Sequence, residues 1–139
     1  VANPRILVVD DEPDVVTFIE RLLEGEHFDV IRAYDGISAL DLAATESPDL
    51  VLLDIMMPMM SGYEVCEQLK TNPATKDIPV VCVSSGHSIE ARGRTRKAGA
   101  ATLIVKPFTS AELIAQIRQH LPQAAGGEGG GPNGDVNAG

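Results

Sequence analysis

Apolar residues along the chain follow two alternating rhythms. Short runs rich in β-branched residues fall at 6–9 (Ile-Leu-Val-Val), 29–31, 50–53 (Leu-Val-Leu-Leu), 80–83 (Val-Val-Cys-Val) and Thr102–Val105. Runs this short and this apolar predict strands buried on both faces. Between them the spacing becomes helical. Val15, Ile19 and Leu22 share a face, as do Ala39, Leu42 and Ala43, then Val65 and Leu69, then Leu113, Ile114 and Ile117. Pro13 suits a first helical turn, and Thr109 or Ser110 ahead of Glu112 suits an N-cap. Five strands alternating with five helices predict an α/β fold with a parallel sheet, right-handed crossovers and helices on both faces.

Composition fits one globular domain. The chain has 139 residues, 44% hydrophobic and 22% charged. No apolar run approaches the ~18 residues a membrane span needs, and the run at 6–9 leads into three acids, unlike a secretory signal. A cytoplasmic setting is expected. A formal charge of -9 argues against general nucleic-acid binding. Cys66 and Cys82 lack metal-ligand spacing and read as reduced core thiols. The last stretch, 122–139, holds seven of the 13 glycines and Val136 as its one large apolar residue. It reads as a flexible tail or linker, so the folded domain is expected to cover 1–121.

In a doubly wound parallel sheet, ligands sit at the carboxyl edge of the strands. Asp10 and Asp11 follow the first strand, Asp54 the third, Ser84 and Ser85 the fourth, and Lys106 and Pro107 the fifth. Any one of these acids alone would read as a turn or cap. Together they place three carboxylates, a hydroxyl and an ammonium at one crevice. Two like charges ~4 Å apart repel by about 4 kcal/mol at an effective dielectric near 20. A hard divalent cation relieves this best, and Mg2+ suits a site that also handles phosphoryl oxygens. A carboxylate so placed can attack phosphorus and become an acyl phosphate.

These residues resemble the receiver domain of two-component response regulators. The resemblance rests on ILVVDDEP at 6–13, DLVLLDIMMPMMSGYE at 49–64, PVVCVSS at 79–85 and AGAATLIVKPF at 98–108. It implies a flavodoxin-like (βα)5 sheet with strand order 2-1-3-4-5. By the same resemblance, Asp54 is the phosphoacceptor. Asp11 is the main acidic Mg2+ ligand with Asp10 as the second acid, and the backbone carbonyl of Met56 is a further ligand. Ser84 and Lys106 contact the phosphoryl group, and a cis peptide joins Lys106 to Pro107. Pro58 and Gly62 shape the loop after Asp54. The implied partner is a sensor histidine kinase or a histidine phosphotransfer protein. The implied role is a phosphoacceptor signalling domain that catalyses its own transfer and is not a metabolic enzyme.

Three other readings fit these residues less well. A haloacid dehalogenase-type phosphatase wants an acid two residues after its nucleophile, where this chain has Met56. A flavodoxin needs a phosphate loop after the first strand, where 10–12 are all acidic. A vestigial receiver, acting as an interaction domain without phosphorylation, fits poorly with the intact set Asp10, Asp11, Asp54, Ser84 and Lys106. The chain also departs from the family pattern. Leu103 stands where an aromatic residue is usual, and Ala101 and Thr102 stand where many DNA-binding members carry acids, leaving Arg118 without the expected partners. Gly86 and His87 lie in the loop after the fourth strand, His87 reading as an exposed loop residue. The fourth helix concentrates Arg92, Arg94, Arg96 and Lys97, four of the 11 basic residues. It is a candidate face for an acidic partner.

Overall fold

The computed structural model describes residues 2–85 and 89–122. The expectations for Gly86, His87 and the Gly-rich segment from 123 onward lie outside the described residues. The elements alternate as β1 (Arg5–Val9), α1 (Pro13–Glu24), β2 (Asp29–Ala33), α2 (Gly36–Glu46), β3 (Leu50–Asp54), α3 (Gly62–Thr71), β4 (Val80–Ser84), α4 (Ile89–Lys97), β5 (Thr102–Val105) and α5 (Ser110–His120). All strand pairings are parallel, and the sheet runs β2-β1-β3-β4-β5.

Strand alternation divides the core in two. Leu7, Val9, Val51, Leu53, Cys82 and Leu103 pack with α2, α3 and α4. Ile6, Val8, Leu52, Val81, Val83 and Ile104 pack with α1 and α5. Both sheet faces are therefore dry, which is why these strands read as unbroken apolar runs. At the edge, β2 is only half-buried and carries Asp29 and Arg32 on its exposed positions. That polarity led the sequence pattern to end it early; it extends to Ala33.

The buried face of α1 is centred one residue later than periodicity suggested. Val16, Ile19 and Leu23 are buried, while Val15 and Leu22 only flank the cluster. The other helical faces are as expected, except that Leu42 of α2 only flanks its cluster. Thr109 caps α5 through a reciprocal pair with Glu112: the Glu112 N–H donates to Thr109 Oγ1 (3.0 Å), and the Thr109 N–H donates to Glu112 Oε1 (2.7 Å). Ser61 and Glu64 do the same for α3. Both cysteines are free and buried. The Cys66 thiol donates to the Ala98 carbonyl (3.4 Å), and its hydrogen bond with Cys82, together with burial, pushes the Cys82 thiol up.

Gly62 ties the fold to the crevice. A Cβ there would stand 2.5 Å from the Asp54 carbonyl oxygen and 2.6 Å from Ile55 Cα. These are backbone atoms that cannot swing aside, and the Gly62 N–H donates to the Ile55 carbonyl at 2.9 Å. The start of α3 thus rests directly on the end of β3. Gly62→Ala should destabilise the protein by roughly 3 kcal/mol through overpacking, read as a lowered urea midpoint with unchanged slope.

Candidate functional site

The sheet register delivers the polar residues to one edge. Val9 pairs with Leu53, Asp54 with Val83, and Ser84 with Val105. Hydrogen bonding continues just past the strands: the Asp10 N–H donates to Ala33 O, Ile55 N–H to Val83 O and Lys106 N–H to Ser84 O (2.7 Å). Asp10, Asp54 and Lys106 follow the alternation of Val8, Leu52 and Ile104, on the α1 and α5 side. Ser84 follows the alternation of Cys82, on the other side, and is buried at the same edge.

Asp10, Asp11 and Asp54 each bring a carboxylate oxygen to within 4.8 Å of the others. Asp10 and Asp54 are buried and Asp11 is less so. The same local device orients the two buried acids. Glu12 N–H donates to Asp10 Oδ1 (2.9 Å), and Met56 N–H donates to Asp54 Oδ1 (3.2 Å). Each is a carboxylate held by the backbone two residues on, as in an Asx-turn.

The electrostatics match the crowding. Burial and the neighbouring Asp10 charge push Asp54 from 3.8 up to about 6; the Met56 N–H and Lys106 pull the other way. Asp10 is also raised, chiefly by burial, against the Glu12 N–H and Lys106. Lys106 therefore acts electrostatically on both buried acids. The three acids could hold one hard divalent cation, for which an all-oxygen, acid-rich set is the preferred donor chemistry.

Comparison with known proteins agrees with this geometry. Residues 6–118 match the response regulator receiver domain. The chain belongs to the response regulator receiver domain family. It is 41% identical over 116 residues to the response regulator PleD of Caulobacter vibrioides, covering 84% of this chain and 26% of PleD. It is 36% identical over 118 residues to PilG of Pseudomonas aeruginosa, covering 85% of this chain and 87% of PilG. Among solved structures, chemotaxis protein CheY4 of Vibrio cholerae aligns with a TM-score of 0.82 at 27% identity, over 86% of this chain and all of that one. The receiver spans about a quarter of PleD and about half of the transcriptional regulators it resembles, such as PrrA of Mycobacterium tuberculosis (51%).

Other residues singled out from the sequence are now placed in the receiver fold. The Lys106–Pro107 peptide is cis. The basic residues of α4 do not form one uniform patch. Arg94 lies over the Tyr63 ring of α3, 4.0 Å from its centroid, whereas Arg92 and Arg96 line a groove with Thr95, Thr102 and Leu103. Arg118 pairs with Glu26 at 3.0 Å and stands over Phe28, so its acid comes from the turn between α1 and β2. Tyr63 and Glu26 went unnoticed in the sequence because no local spacing links them to arginines 31 and 92 residues away.

A raised acid weakens the fold as it ionises. The folded carboxyl keeps its proton up to about 6, whereas the unfolded one releases it near 3.8, so Asp54 costs stability increasingly across that window and fully above it. Asp54→Asn should therefore stabilise the metal-free protein at pH 7 by about 1–2 kcal/mol, below the ~3 kcal/mol of the unscreened shift because solvent reaches the crevice. The advantage should vanish below pH 4. Thermal melts across pH check this, and added Mg2+ should raise the wild-type Tm more than that of Asp54→Asn.

Proposed function

We propose that Asp54 accepts a phosphoryl group from a phosphohistidine of a partner histidine kinase or phosphotransfer protein, and that the phosphorylated receiver changes which partner it binds. A carboxylate oxygen of Asp54 attacks phosphorus in line, the N–P bond breaks, and the imidazole leaves. Asp10, Asp11, Asp54 and the backbone carbonyl of Met56 would hold Mg2+, which neutralises charge on the phosphoryl oxygens. Lys106 adds a fixed positive charge there, and the Ser84 hydroxyl donates to a phosphoryl oxygen. Attack by water later releases phosphate.

The observation that carries this reading is the packed triad itself. Three acids within 4.8 Å, with Asp54 raised to about 6, are poised for a cation and an incoming anion together. A vestigial interaction domain would have no use for that electrostatic cost. Among the described residues, no helix is long and apolar enough to cross a membrane, and we place the reaction in the cytoplasm, where kinase phosphodonors are made. Incubation with acetyl phosphate and Mg2+ tests the proposal by intact mass. Wild type should gain one phosphoryl group and Asp54→Asn none; no gain by wild type would leave the vestigial reading in its place.

The output partner is proposed to be acidic and to meet α4 through Arg92, Arg96 and Lys97, with Arg94 held against Tyr63. Charge reversal at Arg92 and Arg96 should weaken binding more at low salt than at high salt. Equal weakening at both would dismiss the electrostatic contact.

A further inference from the structure

All four methionines of the chain fall within five positions, Met56, Met57, Met59 and Met60, in the loop that follows Asp54. They divide by environment. Met57 is 9% exposed in the core, and Met60 packs against the same cluster, its sulfur beside Gly36. Met56 is 68% exposed and Met59 fully so. Met59 also has φ 70, a left-handed conformation that a long side chain adopts at a cost. Neither folding nor the core accounts for thioethers at these two places. Met56, moreover, is tied to Asp54 through its backbone: its N–H donates to Asp54 Oδ1.

We propose that Met56 and Met59 form an oxidation site through which a hydroperoxide shortens the lifetime of a phosphoryl group on Asp54. The sulfur lone pair attacks the terminal peroxide oxygen, and the O–O bond breaks as the S–O bond forms. The terminal oxygen's proton passes to the departing oxygen, so hydrogen peroxide yields one sulfoxide and one water. Sulfur is oxidised by two electrons and the peroxide is reduced by two. The change replaces an apolar thioether with a strong hydrogen-bond acceptor. On the residue whose backbone N–H holds Asp54 Oδ1, that acceptor draws in water that a thioether does not. Met59, the more exposed of the two, reacts first and records the exposure; Met56 carries the effect. This coupling rests on the phosphoacceptor reading above.

The test treats the intact protein with hydrogen peroxide and locates each added oxygen by fragmentation mass spectrometry. Met59 and Met56 should oxidise about tenfold faster than Met57, following their exposures. Equal rates at all four methionines would overturn the site. Phosphorylation by acetyl phosphate then gives the functional arm. Peroxide should shorten the acyl phosphate lifetime about two- to tenfold, the worth of one net hydrogen bond. Met59→Leu should keep that response and Met56→Leu should lose it. A full response in Met56→Leu, or no response in a wild type that phosphorylates normally, would overturn this proposal alone. A wild type that takes no phosphoryl group before any treatment would bring down the phosphoacceptor reading and this coupling together.

Discussion

The repulsion among Asp10, Asp11 and Asp54 is the constraint to which the rest of this structure answers. Water would keep three such acids apart or ionised at ease. Here two of them are buried with one lysine in electrostatic reach, and Asp54 is driven up to about 6 as a result. The strain is relieved only by something that brings positive charge. On the proposed reading, binding of a cation and arrival of a phosphoryl group are linked: the first makes room electrostatically for the second. A pocket of acids that handles an anion makes physical sense on no other terms.

Holding like charges together demands a rigid base, and the sheet supplies it. Both faces are covered, so bending any strand would open apolar surface to water. The two Asx-type contacts fix the buried carboxylates at their oxygens rather than through distant side chains. Gly62 brings the start of α3 onto the backbone of Asp54 and Ile55, closing the loop from the far side. The local chemistry and the packing thus enforce the same unfavourable charge arrangement, which is how functional sites commonly retain strain.

Much of this was legible in the sequence because it depends on short-range signals. Unbroken apolar runs, buried on both faces and followed by acids, mark the carboxyl ends of β1 and β3 without reference to the rest of the chain. The strand order came from the resemblance, since periodicity does not say which strands are neighbours. What could not be read is what long-range contact decides. The α1 face shifted by one residue because Leu23, rather than Leu22, meets the sheet at the actual helix rotation. The four basic residues of α4 looked equivalent until the fold set Tyr63 beneath Arg94. Arg118 looked unpartnered until the turn after α1 brought Glu26 to it. The glycine requirement at 62 comes from contact with Asp54 and Ile55, not from a positive φ, so the sequence could place it in the loop but not explain it.

The departure at Leu103 follows the same logic. An aromatic side chain at that position would have to fit where Leu103 is buried with the α2 to α4 cluster. Leucine fills the space without a ring to reorient. On the proposed reading, a signal from Asp54 must then leave by another route, and the backbone offers one. The Lys106 N–H donates to the carbonyl of Ser84 at 2.7 Å, so the two residues assigned to the phosphoryl group are joined at the ends of β4 and β5. A pull on either loads both strands. The other side of β5 meets the groove lined by Arg92 and Arg96, where no acid at 101 or 102 neutralises the guanidiniums. The charge proposed to meet a partner therefore lies beside the strand that would carry the signal.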